Sequence, residues 1–236
     1  AGIRDIFTTI RLGPVFVMLL LFLGVYTISQ IQSTMGPYYM KYYADSENMI
    51  SWFSMILMLA SVIGVPSVPY LTKKIKKKPT VILGLALCGI GSLIIYLMPQ
   101  GSGSLGGMMA GRAVVGLGYG ILMGILWSIV TDPIEYSNWK TGHAYGAITL
   151  TLVGLGLKFA MVIGGSLPNA VLSAAGYVAN KTQSAEVITA IRNLTALLPF
   201  VVALATIVVF AVFYKLDEEK ISQIQQEIAE RDGAVN

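Results

Sequence analysis

Cysteine, histidine and charged side chains are scarce in this sequence. The 236 residues include one cysteine, one histidine and 12% charged residues, whereas an average soluble domain carries about 25% charge. The single cysteine, Cys88, excludes an intramolecular disulfide, and its place inside an apolar run favours packing as a small hydrophobe over redox chemistry or a thiolate metal site. The scarcity of charge excludes a soluble globular domain.

Long apolar runs fill most of the chain instead, with 55% hydrophobic residues and a mean hydropathy of +0.72. A transmembrane helix needs about 20 mainly apolar residues, and the runs that are long enough cover residues 14–38, 50–71, 79–98, 107–131, 144–177 and 188–214. The sequence therefore predicts an all-α polytopic membrane protein with six transmembrane helices. The fifth run exceeds one crossing, so it is expected to tilt, to bend near Pro168 or to project beyond the lipid.

Lysine and arginine are unevenly distributed between the two ends of the predicted helices. If both termini are cytoplasmic, eleven of these residues lie inside, and only Lys41, Lys181 and Arg192 lie outside, which agrees with the positive-inside rule. We interpret the lysines of residues 73–78 as a topology anchor in preference to a lipid-headgroup site, and we expect no nucleic-acid partner. Residues 215–236 are polar apart from a narrow apolar stripe, which predicts an amphipathic cytoplasmic tail helix after the bundle of residues 14–214.

Lys158 is the sharpest polar feature within the predicted spans. An ammonium near mid-membrane costs about 2.5–3.5 kcal/mol, so it is expected to face a cavity or a partner rather than lipid. It is either a substrate donor, a charge that couples to an ion, or the structural partner of a carboxylate. Tyr26 and Gln30 lie one turn apart on the first helix, where they suit a polyhydroxylated ligand as well as hydrogen bonds between helices.

Three further residues within the predicted spans, and a set of glycines, have a predicted role in binding, in membrane placement or in packing. Trp127 is either a stacking platform for a sugar ring or an interfacial aromatic, Thr151 lies on the face of Lys158, and Arg112 is expected to snorkel to the membrane surface. Small residues at helical spacing predict close helix packing in the fourth and fifth spans: Gly116, Gly118, Gly120, Gly124, Gly154, Gly156, Gly164 and Gly165.

No pattern typical of an enzyme or a metal centre occurs in the sequence. His143 has neither a second histidine nor a cysteine at ligand spacing, and a phosphate-binding glycine loop would require a preceding strand. We therefore predict no enzyme and no resident cofactor.

Two stretches carry a family resemblance. The run DPIEYSNWKTGH at residues 132–143, which leads into the span with Lys158, and the run GYVANKTQSAEVITAIR at residues 176–192 resemble the C-terminal half of the glycoside-pentoside-hexuronide:cation symporter family. This family belongs to the major facilitator superfamily and includes melibiose, lactose, xyloside and glucuronide carriers. The resemblance implies that the six spans are helices seven to twelve, that residues 1–13 end a central cytoplasmic loop, and that the protein lies in the bacterial inner membrane.

The resemblance also implies roles for particular residues. Lys158 matches a family lysine in the sugar and coupling region, and with it we expect four residues to line a sugar pocket: Tyr26, Gln30, Trp127 and Thr151. Asp132, Glu135 and Lys140 match charged positions of the inner gate. Two departures concern that gate, because Ala144 replaces the usual arginine and Gly146 replaces the usual acidic residue.

These observations predict one half of a cation-coupled symporter that carries a glycoside or glucuronide by alternating access. An N-terminal six-helix half is the expected partner, and its carboxylates are expected to hold most of the site for the coupling cation, Na⁺ or H⁺. Two alternatives stay open: a non-transport six-helix subunit or scaffold that needs a partner chain, and half of a drug:proton antiporter.

Overall fold

A computed structural model describes residues 13–142 and 145–233, and these ranges consist of helices joined by short connections. Predictions about residues 1–12, His143, Ala144 and residues 234–236 lie outside this description. Six of the described helical segments are long and apolar enough to cross a membrane: Gly13–Tyr43, Glu47–Ile75, Lys77–Leu97, Ser102–Thr141, Gly146–Ala174 and Ala185–Phe213. The predicted all-α membrane architecture is therefore confirmed, and we number these spans one to six.

The fourth span differs from its predicted end at residue 131. Its main helix, Leu105–Ile129, is followed at once by a second helix, Thr131–Thr141, which we call the loop helix. Gly142 ends this helix with a left-handed φ of 71° and donates its N–H to the carbonyl of Asn138, as a glycine after a helix C-terminus commonly does. The fifth span is one continuous helix that contains Pro168, and a tail helix follows at Glu218–Gly233.

The spans pack as two groups of three. The first span packs against the fifth and sixth, the fourth packs against the second and third, and contacts between the third and sixth spans join the groups. Apolar side chains such as Phe22, Leu126 and Phe210 fill the core toward the end of the bundle that contains Lys77. Met35 and Phe53 belong to a second core cluster toward the end that contains Lys41. We refer to these as the Lys77 end and the Lys41 end.

Glycines allow the backbones of neighbouring spans to approach closely. A Cβ atom on Gly118 would lie 2.5 Å from the carbonyl oxygen of Gly84, and one on Gly116 would lie 2.6 Å from the carbonyl oxygen of Leu57. Close packing was predicted from the helical spacing of these glycines, and it is confirmed at both positions. Gly154 differs, because a Cβ atom there would meet open space.

Arg112 is buried in the bundle, so the prediction that it snorkels was wrong. It is 2% exposed and donates to the carbonyl oxygen of Phe53 at 3.2 Å and to both the backbone carbonyl and the side-chain oxygen of Gln32. Gln32 in turn donates to the Ser92 hydroxyl and to the carbonyl of Thr195, each at 3.3 Å. This network joins the first, second, third, fourth and sixth spans, and each guanidinium nitrogen of Arg112 donates one hydrogen bond within it.

Candidate functional site

An aromatic patch joins the first and fourth spans on one side of the bundle. The ring of Phe22 stacks on Tyr26 with a centroid distance of 6.2 Å and meets Trp127 edge to face at 5.6 Å. The Tyr26 hydroxyl donates to the sulfur of Met123 at 3.7 Å. Trp127 keeps 51% of its surface exposed. Its indole ring is therefore available to stack against a ligand beside the fourth span.

Gln30 lies where the first and fifth spans cross. Gly164 makes room for it, because a Cβ atom at that glycine would fall 2.6 Å from the Cβ of Gln30. Lys158 precedes Gly164 by six residues, which is roughly 9 Å along the helix axis. The lysine side chain is exposed, and no side chain of the described ranges pairs with it. Its ammonium group is therefore free to meet a ligand or a partner chain.

A polar stripe runs along the fifth span through Lys158. Thr151, Lys158, Gly165 and Asn169 follow at intervals of seven, seven and four residues, which places them on one face of the helix. The amide of Asn169 donates to the carbonyl of Gly165 at 2.7 Å and accepts from the hydroxyl of Tyr38 at 3.5 Å. Sequence reasoning missed Asn169, although its spacing from Lys158 was a usable signal.

The structure brings Tyr26 and Trp127 together through Phe22, and within the described residues no hydrogen bond or ring contact joins this pair to Gln30, Thr151 or Lys158. Tyr26 and Trp127 share the aromatic patch, Gln30 and Lys158 flank the crossing of the first and fifth spans, and Thr151 continues the polar stripe. Hydroxyl and amide groups both donate and accept hydrogen bonds, and an ammonium donates. These polar groups can therefore bind the hydroxyl groups of a sugar, and the indole ring of Trp127 can pack on its apolar face.

Asp132 is the centre of a buried network at the Lys77 end. It is 3% exposed, its carboxylate lies 2.9 Å from the ammonium of Lys77, and it accepts a hydrogen bond of 2.8 Å from the hydroxyl of Tyr214. Burial, together with the nearby carboxylate, raises the pKa of Tyr214 above its usual range, so the phenol stays a donor at physiological pH. This network joins the first residue of the third span, the loop helix and the residue that follows the sixth span.

The other two predicted gate residues point to different partners. The carboxylate of Glu135 accepts from the amide of Gln225 in the tail helix at 2.9 and 3.0 Å. Lys140 is exposed and donates to the Tyr136 hydroxyl at 3.4 Å. Within the described residues, Asp132, Glu135 and Lys140 thus do not form a single charge cluster.

The tail helix packs against the loop helix. Ile221 and Ile224 of the tail helix are buried. The indole N–H of Trp139 in the loop helix donates to Glu227, and Arg231 donates to the carbonyl of Asn138 at 3.2 Å. Sequence reasoning predicted the amphipathic helix, and the structure shows the surface that its apolar stripe covers.

The lysine cluster contributes contacts of its own at the same end. The Lys76 ammonium lies 3.7 Å from the carboxylate of Glu219 in the tail helix. Lys78 donates to the carbonyl oxygens of Ala211 and Tyr214 at 2.9 and 2.6 Å. A cation at these last carbonyl groups of the sixth span is favourable, because the C-terminal end of a helix carries partial negative charge. The cluster therefore has structural contacts beyond the anchor role inferred from the sequence.

Six helices of membrane-crossing length, packed as two groups of three, have the architecture of one major-facilitator lobe. The family model described as MFS/sugar transport protein matches residues 3–218 of this chain. The chain belongs to this sugar transport family, among the glycoside-pentoside-hexuronide:cation symporters of the major facilitator superfamily.

Three curated relatives show how far the similarity extends. The uncharacterized symporter YnaJ of Bacillus subtilis (strain 168) is 30% identical over 97% of this chain and 49% of its own length. The isoprimeverose transporter of Lactiplantibacillus pentosus is 30% identical over 93% and 45% of the respective lengths. The glucuronide carrier protein homolog of Escherichia coli (strain K12) is 29% identical over 94% and 48%. The chain therefore spans about half the length of these relatives.

Proposed function

We propose that this chain is the C-terminal lobe of a secondary active transporter for glycosides or glucuronides. The observation that carries the proposal is Lys158, which is exposed on a transmembrane helix and has no partner among the described residues. An unpaired lysine facing lipid would be costly, whereas one facing a central cavity has water, substrate or a second lobe as its surroundings. The relatives named as a symporter, a transporter and a carrier support the same function.

Transport proceeds by alternating access between this lobe and an N-terminal six-helix lobe. In such carriers two bundles rock about a central site near mid-membrane, so that the site opens to one side at a time. The hydroxyl groups of the sugar are bound by Tyr26, Gln30, Thr151 and Lys158. Trp127 packs against the apolar face of the sugar ring. The Asp132 network, with Glu135 and Lys140 beside it, belongs to the gate on the cytoplasmic side.

Coupling to Na⁺ or H⁺ is assigned mainly to the partner lobe. Within the described residues, no group of three or more histidine, cysteine or acidic side chains could hold a metal ion, and a cation site of carboxylates in the second lobe would supply what this face lacks. The distribution of lysine and arginine supports our assignment of both termini to the cytoplasm, and we assign the protein to the bacterial inner membrane. The protein moves its substrate without covalent chemistry.

Uptake by the two-lobed carrier in proteoliposomes tests this proposal. Labelled methyl glycosides and glucuronides are offered with and without a Na⁺ or pH gradient, and symport predicts gradient-dependent accumulation. The Lys158→Ala variant is expected to accumulate the sugar at least roughly tenfold less, because a hydrogen bond from a charged donor contributes about 1.5–3 kcal/mol.

Lys73→Ala is the matched control, because Lys73 is an exposed lysine at the Lys77 end, and uptake should be unchanged. Unaltered accumulation and cation dependence in Lys158→Ala would reduce Lys158 to a structural lysine. Uptake that ignores both gradients would exclude symport, and export of cationic drugs in exchange for protons would favour the antiporter alternative. A carrier without any uptake would favour a subunit or scaffold.

A further inference from the structure

A polar cavity with a volume of about 900 Å³ lies at the Lys41 end. This volume falls within the range of about 300–1,000 Å³ that is typical of small-molecule sites. The cavity is lined by three connections between spans, represented by Asp45, Gln100 and residues 180–183. Most of the lining side chains are polar, so the cavity differs from the apolar surfaces that cover the spans.

Hydrogen bonds fix two of these connections to each other. The ammonium of Lys41 contacts the Glu47 carboxylate at 2.8 Å and the side-chain oxygen of Asn180 at 3.0 Å. The backbone N–H of Asn180 donates to the hydroxyl of Tyr42 at 3.0 Å, and this hydroxyl is also 3.0 Å from that of Tyr177. These contacts hold the part of the wall around Lys41 and Asn180 in place, which reduces the entropy cost of ordering it when a ligand binds.

Four polar side chains of the cavity have no hydrogen-bond partner within the part of the chain that the structure describes: Asp45, Gln100, Lys181 and Thr182. Asp45 has a left-handed φ of 49°, a conformation that is uncommon for residues other than glycine, and such strain often occurs at functional positions. Together these groups provide a carboxylate, an amide, an ammonium and a hydroxyl, which match the donors and acceptors of sugar hydroxyls.

The charges of the lining favour a neutral ligand. Lys41 and Lys181 contribute two positive charges, and Asp45 and Glu47 contribute two negative charges, so the cavity has no net formal charge. An anionic ligand would therefore gain little from long-range attraction, whereas a neutral polyhydroxylated ligand would use the available hydrogen bonds.

We propose that this cavity is a second, weaker glycoside-binding site, which receives the sugar on the outer side before it reaches the proposed site around Lys158. The inference depends on the proposed function and its orientation, because a sugar ligand at the outer end is expected only of a sugar carrier.

A series of tyrosine contacts connects the cavity with Asn169 on the fifth span. The rings of Tyr177 and Tyr38 meet edge to face at 5.4 Å, and Tyr38 donates to Asn169. Asn169 belongs to the polar stripe and follows Lys158 by eleven residues, which is roughly 16 Å along the helix. Asn169, held by Tyr38, is thus the polar group of the fifth span that lies between the cavity and Lys158 on this face.

Binding of a sugar to the two-lobed carrier in lipid nanodiscs tests the second site, and Lys158→Ala separates it from the site around Lys158. Methyl β-D-xyloside is the probe, and saturation-transfer NMR measures its affinity. The double variant Asp45→Asn with Gln100→Leu is expected to bind roughly tenfold more weakly, since it weakens or removes two hydrogen bonds of about 1 kcal/mol each. Asparagine tolerates the left-handed backbone at position 45. Thr182→Val, which leaves the Lys41 contacts intact, repeats the test at one residue and is expected to weaken binding as well.

The controls separate this site from the central one. Glu186→Gln removes an exposed carboxylate outside the cavity and should leave the affinity unchanged, and Lys158→Ala should keep the cavity signal. Equal affinity of the wild type, the double variant and Thr182→Val would overturn the second site. A binding signal that is lost in Lys158→Ala but kept in the double variant would also overturn the second site. The proposed function would stand in that case. Cavity binding in a carrier without uptake would support the second site and contradict the proposed function. Tighter binding of methyl β-D-glucuronide would overturn the neutral-ligand assignment.

Discussion

Two cations within the apolar runs, Arg112 and Lys158, have opposite surroundings. The guanidinium of Arg112 is enclosed and donates to carbonyl oxygens of two neighbouring spans, so its charge is used within the bundle. The ammonium of Lys158 is exposed and has no partner in the described ranges. A buried cation with fixed acceptors supports the fold, whereas an exposed cation on a polar stripe is available to a ligand.

Replacing Arg112 by lysine tests the structural role of this cation. A single ammonium cannot reproduce the planar fork that reaches both Phe53 and Gln32, so the Arg112→Lys variant is expected to lose about 1.5–3 kcal/mol of stability. A lowered midpoint of thermal unfolding in detergent would show this loss. Lys73→Arg at an exposed lysine is the control and should change stability by less than about 0.5 kcal/mol. Equal midpoints for the two variants would contradict the role assigned to Arg112.

At the scale of elements, hydropathy and glycine spacing were sufficient to predict the spans and part of their packing. Each span is a run of apolar residues of membrane-crossing length, and Gly116 and Gly118 meet neighbouring backbones as their spacing indicated. The depth of Arg112 was not predictable in this way, because the rotation of a helix about its axis depends on its neighbours.

The dependence of side-chain positions on neighbouring helices also explains what was missed at the candidate site. Lys158 was recognisable as a charge within an apolar run, and the spacing rule for its helix already gave Thr151. The partners of Asp132 were not recognisable, because Lys77 and Tyr214 are distant in sequence and meet it only after the third and sixth spans pack together. Local patterns thus predict candidate residues, whereas contacts between elements require the fold.

The docked tail helix gives a prediction at this scale. Ile224 is 2% exposed, and Ile224→Asp would place a carboxylate in its apolar contact, so the tail helix is expected to separate from the loop helix. Hydrogen exchange should then become faster at residues 218–233 and at residues 131–141. Gln226→Asp introduces the same charge at an exposed neighbouring position and should leave the exchange rates unchanged. Protection that persists in Ile224→Asp would show that the apolar stripe does not hold the tail helix in place.

At the scale of the whole molecule, a few polar contacts join the two groups of three spans. Gln32 of the first span contacts Arg112 of the second group as well as Thr195 of its own group, and the third and sixth spans pack together. Such links favour movement of these six spans as one body, which the proposed rocking against a second lobe requires.

The proposed orientation of this lobe can be tested by labelling single cysteines in intact cells. Thr182 at the Lys41 end and Ser222 on the tail helix are both exposed, and the native Cys88 is buried, so background labelling should be low. A maleimide that cannot cross the membrane is expected to label Thr182→Cys in intact cells, because the lysine distribution places that end outside. Ser222→Cys should be labelled only after the cells are made permeable, which also controls for its reactivity. Labelling of Ser222→Cys alone in intact cells would reverse the assigned orientation, and the 900 Å³ cavity would then face the cytoplasm.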